Sequence, residues 1–355
     1  MRPDISRRYG EFGKPTGSTR LKVSCRPMDV TVLGAGSWGT ALGILLARNG
    51  HTVTLIGRNE AELADMRESR RNVRYLPDFE IPESVILQSY HDVKVRSDMT
   101  VVAVPSSGVR EIVQETQGVH PLVVVAAKGL ESGSSKTMCE VVAEALPNAQ
   151  VGVLSGPNLA VEIARSVPTV AVAAYAEQKA AETVRDAFMC RSFRVSISPD
   201  VKGVEIAGAL KNVLAIGAGM SDGLGFGDNT KGAFLSRGLM ELARLGLAMG
   251  ASLETFLGPA GVGDLFATAA SKLSRNYRLG RALGEGKSLE TALAQLGQVA
   301  EGVPTSHAAG ALALRYQVEM PVFAAVEAVL TGRIQPHQAV GMLMERTSKM
   351  GDFLP

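Results

Sequence analysis

The chain has 355 residues, of which 46% are hydrophobic and 20% are charged, and its formal net charge is +2. That length allows two domains with cores of their own, and the balance of charge and hydrophobicity excludes a disordered chain and a nucleic-acid-binding protein. The scattered cysteines, Cys25, Cys139 and Cys190, favour free thiols in a reducing compartment, and the five histidines show no metal-ligand spacing, so no metal site is predicted.

Residues 1–27 form a basic segment ahead of the first predicted strand. They contain seven lysine or arginine residues against two acidic ones, together with several glycines and prolines. We interpret this segment as a disordered extension of a cytoplasmic protein. Two alternatives are an organellar transit peptide and an upstream start codon, because Met28 directly precedes the strand; the lack of an apolar run argues against secretion.

The first strand, DVTVL (29–33), runs into a glycine-rich turn and then a helix, GAGSWGTALGILLARNG (34–50). Gly34, Gly36 and Gly39 give the spacing G-x-G-x-x-G between strand and helix. In that context the glycines allow a tight turn, close approach of a pyrophosphate and close packing of helix on strand. The segment therefore predicts a dinucleotide site at the helix N-terminus.

The second strand, TVTLIG (52–57), is followed by Arg58, where a dinucleotide-binding fold usually has an acidic residue for the ribose 2′-OH. A guanidinium suits a 2′-phosphate, so NADP(H) is favoured as the cofactor. Because Glu60 is close, NAD(H) remains possible. The alternative for Arg58 is a solvated loop cation.

Six further strands follow before residue 199, and helical patterns dominate after it. The runs of Val, Ile and Ala in these strands are typical of strands buried on both faces. We predict an α/β Rossmann N-terminal domain over 28–199 and an all-α C-terminal domain over 200–355, with Pro199 and Asp200 at the boundary. The further strands are expected at 84–88, 100–105, 122–127, 151–155, 168–173 and 193–198. The helices are expected at 201–220, 232–249, 252–257, 276–283, 288–296, 304–317, 321–331 and 336–347.

The helix at 204–219 is so apolar that Lys211 and Asn212 have no evident exposed face. Burial lowers the pKa of a lysine toward neutrality, which makes Lys211 a candidate general acid and base. The alternative is a lysine whose ammonium reaches the surface at the helix edge. Because these two residues interrupt the most apolar helix, no transmembrane helix is predicted.

Two clusters in the helical half carry polar groups. In the first, Asp264 lies in a predicted glycine-rich loop, and Ser274, Arg275 and Asn276 lie at a predicted helix start. A hydroxyl, a guanidinium and an amide beside free backbone donors suit a phosphate or oxyanion, although S-R-N also fits a helix cap with a surface arginine. In the second, Glu301 lies in a turn and is expected to cap the next helix.

Taken together, these segments resemble the bacterial-type glycerol-3-phosphate dehydrogenases that use NAD(P)+. The resemblance covers residues 28–347 and rests on ten segments in the same order. They are GAGSWGTAL, LIGRN, VAVPS, AAKGLE, LSGPNLA, EIAGALKNVLAIGAG, GDNTKGAFLSRGL, GPAGVGDL, LSRN and VAEG. It implies reversible hydride transfer between a nicotinamide and dihydroxyacetone phosphate, giving the sn-glycerol 3-phosphate from which glycerophospholipids are built.

The resemblance also implies roles for individual residues. Lys211 is the implied proton donor and acceptor. The implied substrate site is Lys128, Gly156, Asn158, Lys211, Asn212, Asp264, Ser274, Arg275 and Asn276. The implied cofactor site is Gly34, Gly36, Ser37, Trp38, Gly39, Arg58, Lys128, Ala160, Arg275, Val299 and Glu301. The sequence departs from the family at Asn158, where a small hydroxyl residue is usual, and at Leu159, where an aromatic is common.

Two other functions fit parts of the pattern. One is an NADP-linked dehydrogenase acting on a hydroxyacid or a ketopantoate-like substrate, which would not need Arg275 for a phosphate. The other is a non-catalytic nucleotide sensor, which would have no reason to bury Lys211. The extensive apolar surface of the helical half suggests a homodimer.

Overall fold

The protein, described here from a computed structural model over residues 26–90 and 94–345, is built on one large sheet. Its eight strands confirm the eight predicted from the sequence, with ends that differ by up to three residues. They are β1 (Asp29–Leu33), β2 (Thr52–Gly57), β5 (Val85–Ser89), β7 (Met99–Val102), β9 (Leu122–Val125), β10 (Gln150–Ser155), β11 (Thr169–Ala174) and β12 (Phe193–Ser198). Most of the basic extension, Cys25, and residues 346–347 of the last predicted helix lie outside the described residues.

The strand order is β12-β11-β10-β9-β7-β1-β2-β5. Neighbouring strands of this sheet are parallel except β10 and β11, which are antiparallel. Every residue of the central strands β7 and β9 is buried, as their apolar runs predict. The order reverses between β1 and β7, and the carboxyl ends of these strands form the crevice where a doubly wound sheet binds its ligand.

Four short strands were not predicted. They are β3 (Arg71–Asn72), β4 (Leu76–Glu80), β6 (Lys94–Arg96) and β8 (Gln117–Val119), which form the antiparallel pair β3-β4 and the parallel pair β6-β8. The first pair supports the glycine-rich turn, because the Asn72 amide donates hydrogen bonds to the Ala35 carbonyl at 2.9 Å and to the Thr40 hydroxyl at 2.8 Å.

Helices cover the sheet and then form the second half of the chain. Those of the first half are α1 (Ser37–Arg48), α2 (Glu60–Ser69), α3 (Val109–Glu115), α4 (Met138–Ala145), α5 (Ala160–Ala164) and α6 (Gln178–Phe188). Those of the second half are α7 (Val201–Gly223), α8 (Asp228–Ala248), α9 (Leu253–Leu257), α10 (Asp264–Ala269), α11 (Arg275–Gly284), α12 (Leu289–Leu296), α13 (Gly302–Tyr316), α14 (Pro321–Leu330) and α15 (Pro336–Glu345). The predicted fold class is thus confirmed, while the division into domains at residue 199 stays a prediction.

Helix α7 is the central helix of the second half. Every residue from Gly203 to Ser221 is buried. Despite Lys211 and Asn212, α7 is long and apolar enough to cross a membrane by length and composition alone, but the whole of its apolar window is buried inside the protein. It is therefore explained as a core helix.

Helices α7 and α11 touch backbone to backbone. A Cβ added to Gly280 would lie 1.8 Å from the Ile216 carbonyl oxygen, and one added to Gly219 would lie 2.1 Å from the Tyr277 carbonyl oxygen. This close approach requires glycine at both contact points. It places the first residues of α11 against the middle of α7.

The segment before α10 differs from the predicted loop. Residues Pro259–Gly263 form a π-helical turn that continues directly into α10, so Asp264 begins a helix and does not lie in a loop. The glycines of this segment give it a loop-like composition, yet a Cβ at Gly261 would lie 2.1 Å from the Phe256 carbonyl oxygen. Close packing on α9 therefore explains why residue 261 is a glycine.

Candidate active site

The glycine-rich turn has the geometry that a dinucleotide pyrophosphate needs. Gly34 has φ of +113°, and a Cβ on Gly39 would lie 1.8 Å from the Gly34 carbonyl oxygen. By contrast, nothing lies within 4 Å of a Cβ built on Gly36, so this face of the turn is open. Helix α1 begins at Ser37 without a side-chain cap on its N-terminus. Open space and uncapped backbone donors together suit an anion.

Trp38 ties this turn to the next part of the crevice. Its indole Nε1 donates a hydrogen bond to the Ala126 carbonyl at 3.0 Å, two residues before Lys128. The bond fixes the turn relative to the carboxyl end of β9.

Arg58 follows β2 and is exposed. Its neighbours are already engaged, since Asn59 caps α2 by accepting from the Glu62 N–H, and Glu60 pairs with Arg67 at 2.6 Å. Within the described part of the chain, the Arg58 side chain makes no hydrogen bond or ion pair. It is the cation available at the end of β2.

Asp264 forms ion pairs with two lysines. Its Oδ1 lies 2.8 Å from Lys211 Nζ and its Oδ2 lies 2.7 Å from Lys128 Nζ. Lys128 also donates to the Gly156 carbonyl at 2.8 Å, and Lys211 also donates to the Thr268 hydroxyl. Lys211 is only 6% exposed, so the alternative in which its ammonium reaches the surface is wrong.

The electrostatics of this group suit proton transfer near neutral pH. Burial lowers the pKa of Lys211 to about 8; Asp264 opposes this shift, and the charges of Lys128 and Arg275 add to it. Burial raises the pKa of Asp264, but the two lysines more than offset that and hold it below its usual value. An ionised carboxylate thus orients an ammonium that can give up its proton at a pH close to neutral.

Asn212 and Asn276 connect α7, α11 and α13. The Asn276 amide donates to Asn212 Oδ1 at 2.9 Å, and Asn276 Oδ1 accepts from the Gly302 N–H at 3.0 Å. Both asparagines are buried. Their hydrogen bonds hold the start of α11 beside Asn212, the residue that follows Lys211 in α7.

Ser274 and Arg275 lie at that start of α11. Ser274 caps the helix by accepting from the Tyr277 N–H at 3.2 Å, as the alternative interpretation expected. Arg275 is not a surface arginine, however, because it is partly buried, and burial lowers its pKa against the opposing charge of Glu301. Among the described residues, its guanidinium has no hydrogen bond or ion pair, so it is free to bind an anion.

Glu301 does not cap a helix with its side chain, contrary to the sequence prediction. Its carboxylate instead accepts from the backbone N–H of Ser106 at 2.9 Å and from the Ser106 hydroxyl at 2.5 Å. Ser106 follows β7, so this contact joins the carboxyl end of the sheet to the helical half. Val299 lies in the same loop and is 45% exposed.

The segment after β10 contains the remaining predicted site residues, Gly156, Asn158 and Ala160. Gly156 has φ of +143°, and its carbonyl holds Lys128. The Asn158 amide donates to the Val170 carbonyl at 2.9 Å, while its Oδ1 is buried and has no hydrogen-bond partner in the described part of the chain. Ala160 is the first residue of α5 and packs against the core of the sheet.

The structure thus brings together most of the predicted polar residues, and it adds three that sequence reasoning missed. Thr268 contacts Lys211, Ser106 contacts Glu301, and Asn72 supports the glycine-rich turn. Thr268 lies four residues after Asp264. On a helix this spacing places both side chains on the same face, so a prediction of α10 would have indicated that Thr268 lies beside Asp264.

Comparisons with known proteins cover nearly the whole chain. Residues 29–181 match the model of the NAD-dependent glycerol-3-phosphate dehydrogenase N-terminus, and residues 200–341 match that of its C-terminus. The chain is 47% identical over 326 residues to glycerol-3-phosphate dehydrogenase (NAD(P)+) of Thermoanaerobacter sp. (strain X514), covering 91% of this chain and 98% of the relative.

Two solved structures extend the comparison. The glycerol-3-phosphate dehydrogenase of Coxiella burnetii has a TM-score of 0.85 at 35% identity, over 90% of this chain and 99% of that one. A ketopantoate reductase from Ralstonia eutropha has a TM-score of 0.57 at 15% identity, over 90% of this chain and 100% of that one, which indicates a shared fold alone.

Proposed function

The chain belongs to the NAD-dependent glycerol-3-phosphate dehydrogenase family, and from that premise we propose which of its residues carry the reaction. The enzyme reduces dihydroxyacetone phosphate to sn-glycerol 3-phosphate, reversibly, with a nicotinamide cofactor, and so supplies the backbone of glycerophospholipids. When bound, the nicotinamide supplies the hydride that adds to C2 of the substrate. The protein must donate a proton to the carbonyl oxygen, bind the phosphate, and orient the substrate relative to the nicotinamide.

Lys211 is the proposed proton donor. As negative charge builds on the substrate oxygen, the Nζ of Lys211 transfers a proton to it and becomes a neutral amine. In the reverse reaction this amine accepts the hydroxyl proton. The single observation that supports this role best is the buried contact with Asp264 at 2.8 Å, because it orients an ammonium whose pKa burial has lowered to about 8.

Lys128 and Asp264 position the reacting groups. Asp264 holds both ammonium groups, and Gly156 fixes Lys128 from the other side. We assign to Lys128 a contact with the substrate at the point where the cofactor reaches it. Gly156 and Asn158 line the same side of the substrate.

Arg275 is the proposed phosphate ligand. Its guanidinium is partly buried and has no protein partner among the described residues, and a phosphate would provide the paired oxygens that an arginine binds best. Ser274, Asn276 and Asn212 lie beside it and complete the substrate site.

The cofactor site runs from the end of β2 to the loop before α13. Arg58 is assigned to the 2′-phosphate of NADP(H), because Glu60 is paired with Arg67 and is not free for a ribose diol. NAD(H) is expected to bind more weakly. The other proposed contacts are Gly34, Gly36, Ser37, Trp38, Gly39, Lys128, Ala160, Arg275, Val299 and Glu301.

We also propose a cytoplasmic homodimer that associates through the helical half. Several large apolar side chains are exposed there, and the burial of exposed apolar side chains favours association. They are Phe226, Leu257, Phe266 and Leu273. The molar mass measured by light scattering would show twice the chain mass of 37.4 kDa.

The proposed function is tested by one substitution and two substrates. We expect the wild type to oxidise NADPH with dihydroxyacetone phosphate and to use dihydroxyacetone poorly. Lys211→Met should lower kcat on the order of 10²-fold or more while leaving NADPH affinity nearly unchanged. Activity of Lys211→Met within about threefold of wild type would exclude Lys211 as the proton donor.

A further inference from the structure

Glu205 is a buried acid that the proposed reaction does not use. It lies on α7, six residues before Lys211, and is 7% exposed. Its Oε1 accepts a hydrogen bond from the backbone N–H of Cys139 at 2.8 Å, and the Thr137 hydroxyl and the Cys139 thiol contact the same carboxylate. Burial raises the pKa of Glu205 to about 7, so the carboxylate is kept in the interior at a cost in free energy.

The Glu205 carboxylate contacts the N-terminus of α4. Thr137 caps this helix and forms a capping box with Glu140. A helix N-terminus offers free backbone donors and a positive dipole end, which favour a carboxylate. Lys202, in the first turn of α7, lies 3.7 Å from Glu140 and adds an exposed contact between the same two helices.

Helix α4 closes the loop that begins with Lys128. Within this loop, which we call the Lys128 loop and define as residues 128–137, Leu130 pairs with Thr137 as in a narrow hairpin, and the Glu131 N–H donates to the Lys136 carbonyl at 2.9 Å. One end of the loop contacts Asp264 through Lys128. The other end is held by a side chain of α7, the helix that also carries Lys211.

We infer that Glu205 is a positioning residue, which holds the Lys128 loop against α7 and thereby fixes the spacing of Lys128 and Lys211 across Asp264. The inference rests on the proposed function, because it requires that Lys211 transfers the proton. The spacing matters for two reasons. Small misplacements of reacting groups cost large factors in rate, and the charge of Lys128 lowers the pKa of Lys211.

Glu241 provides a matched control. It is also a buried carboxylate, 1% exposed, with its pKa raised to about 7 by burial. Its oxygens accept from the backbone N–H groups of Val322 and Phe323 at the start of α14, within the helical half. It therefore resembles Glu205 in burial, charge and bonding but has no bond to the Lys128 loop.

The experiment compares Glu205→Leu, Glu205→Gln and Glu241→Leu with wild type, well below the lowest Tm of the set. Steady-state rates are measured with NADPH and dihydroxyacetone phosphate across pH. Glu205→Leu should lower kcat on the order of tenfold or more, a larger factor than any rise in the KM for NADPH, because only one of the proposed cofactor contacts, Lys128, is displaced. It should also move the pH midpoint of kcat upward, because Lys128 would no longer lower the pKa of Lys211, while Asp264 and Arg275 stay in place.

Glu205→Gln keeps an oxygen that can accept from Cys139 and should recover most of kcat. Glu241→Leu should lower Tm but leave kcat and its pH midpoint unchanged. If Glu205→Leu does not fold, Glu205→Asp, which keeps the charge but is too short to reach α4, takes its place with the same expectation.

The inference is overturned if Glu205→Leu, or Glu205→Asp in its place, keeps the wild-type kcat and pH midpoint, or if Glu241→Leu changes kcat and the pH midpoint as much as Glu205→Leu does. The activity of Lys211→Met distinguishes failure of this inference from failure of the proposed function. A near-inactive Lys211→Met beside an unaffected Glu205→Leu contradicts the positioning role alone, whereas an active Lys211→Met contradicts the proton-transfer role itself.

Discussion

Arg275 is the residue on which we expect recognition of the substrate phosphate to depend. Its guanidinium is partly buried and makes no hydrogen bond or ion pair with the described residues, which favours the binding of an anion, because an unpaired charge away from water is unfavourable. The substrate has one strongly anionic group, the phosphate. Discrimination between phosphorylated and unphosphorylated substrates should therefore depend on this residue.

Arg275→Ala should reduce kcat/KM for dihydroxyacetone phosphate. The loss of transition-state stabilisation calculated from the kcat/KM ratio should be about 2 kcal/mol, the scale of a hydrogen bond to a charged group. The loss for dihydroxyacetone should be much smaller. Arg278 is an exposed arginine on the same helix, so Arg278→Ala is the control. It should leave kcat/KM unchanged for both substrates. Equal losses for both substrates in Arg275→Ala would mean that the residue supports the fold or the cofactor.

Arg58 is the residue on which cofactor preference should depend. If it pairs with the 2′-phosphate, Arg58→Ala should weaken NADPH binding by about 1.5 to 3 kcal/mol while NADH binding changes little. Titration of both cofactors by fluorescence quenching would measure this. Parallel weakening of both would instead indicate stacking on the adenine, which the two cofactors share.

The element that brings these residues together is the contact between α7 and α11. Because the two backbones touch, Asn276, which follows Arg275, reaches the middle of α7 and donates a hydrogen bond to Asn212 there. A methyl group at this contact would have to push the helices apart. Stability and catalysis should therefore fall together when it is disturbed.

Gly280→Ala should lower the free energy of unfolding by about 1 to 3 kcal/mol through overpacking, and it should raise the KM for dihydroxyacetone phosphate. Gly232→Ala is the matched control, since Gly232 lies within α8 with nothing inside 4 Å of an added Cβ. Alanine there should be stabilising by about 0.5 to 1 kcal/mol. Chemical denaturation and steady-state kinetics of the two variants provide the comparison, and similar behaviour of both would contradict a special role for the contact.

The elements that the sequence predicts well are those with a strong local signal. The eight strands of the large sheet are apolar runs bounded by turn residues, and α7 is a long apolar helix with an aspartate cap at Asp200. The two-residue strand β3 is too short for any periodicity, and the π-helical turn before Asp264 is rich in glycine for packing reasons that only the neighbouring helix reveals.

At the scale of the whole molecule, the proposed reaction centre lies where the two halves of the chain meet. Lys128 comes from the sheet half and is 136 residues away from Asp264 in sequence, and Ser106 is 195 residues away from Glu301. The apolar context of Lys211 could be recognised locally, so its burial was predictable. The partner of Lys211 and the contact of Glu301 could not be, because they depend on packing between distant segments.

The central claim is that Lys211, held by Asp264 with its pKa lowered to about 8, gives its proton in reduction and takes it back in oxidation. Because burial lowers this pKa from the ordinary value of a lysine, the ammonium form predominates below about 8 and the amine form above it. The most direct measurement is kcat/KM against pH in both directions on the same enzyme. We predict that the rate of dihydroxyacetone phosphate reduction falls as pH rises through about 8, whereas glycerol 3-phosphate oxidation rises over the same range. Profiles that are flat in that range, or that change in the same sense in both directions, would contradict the assignment of Lys211.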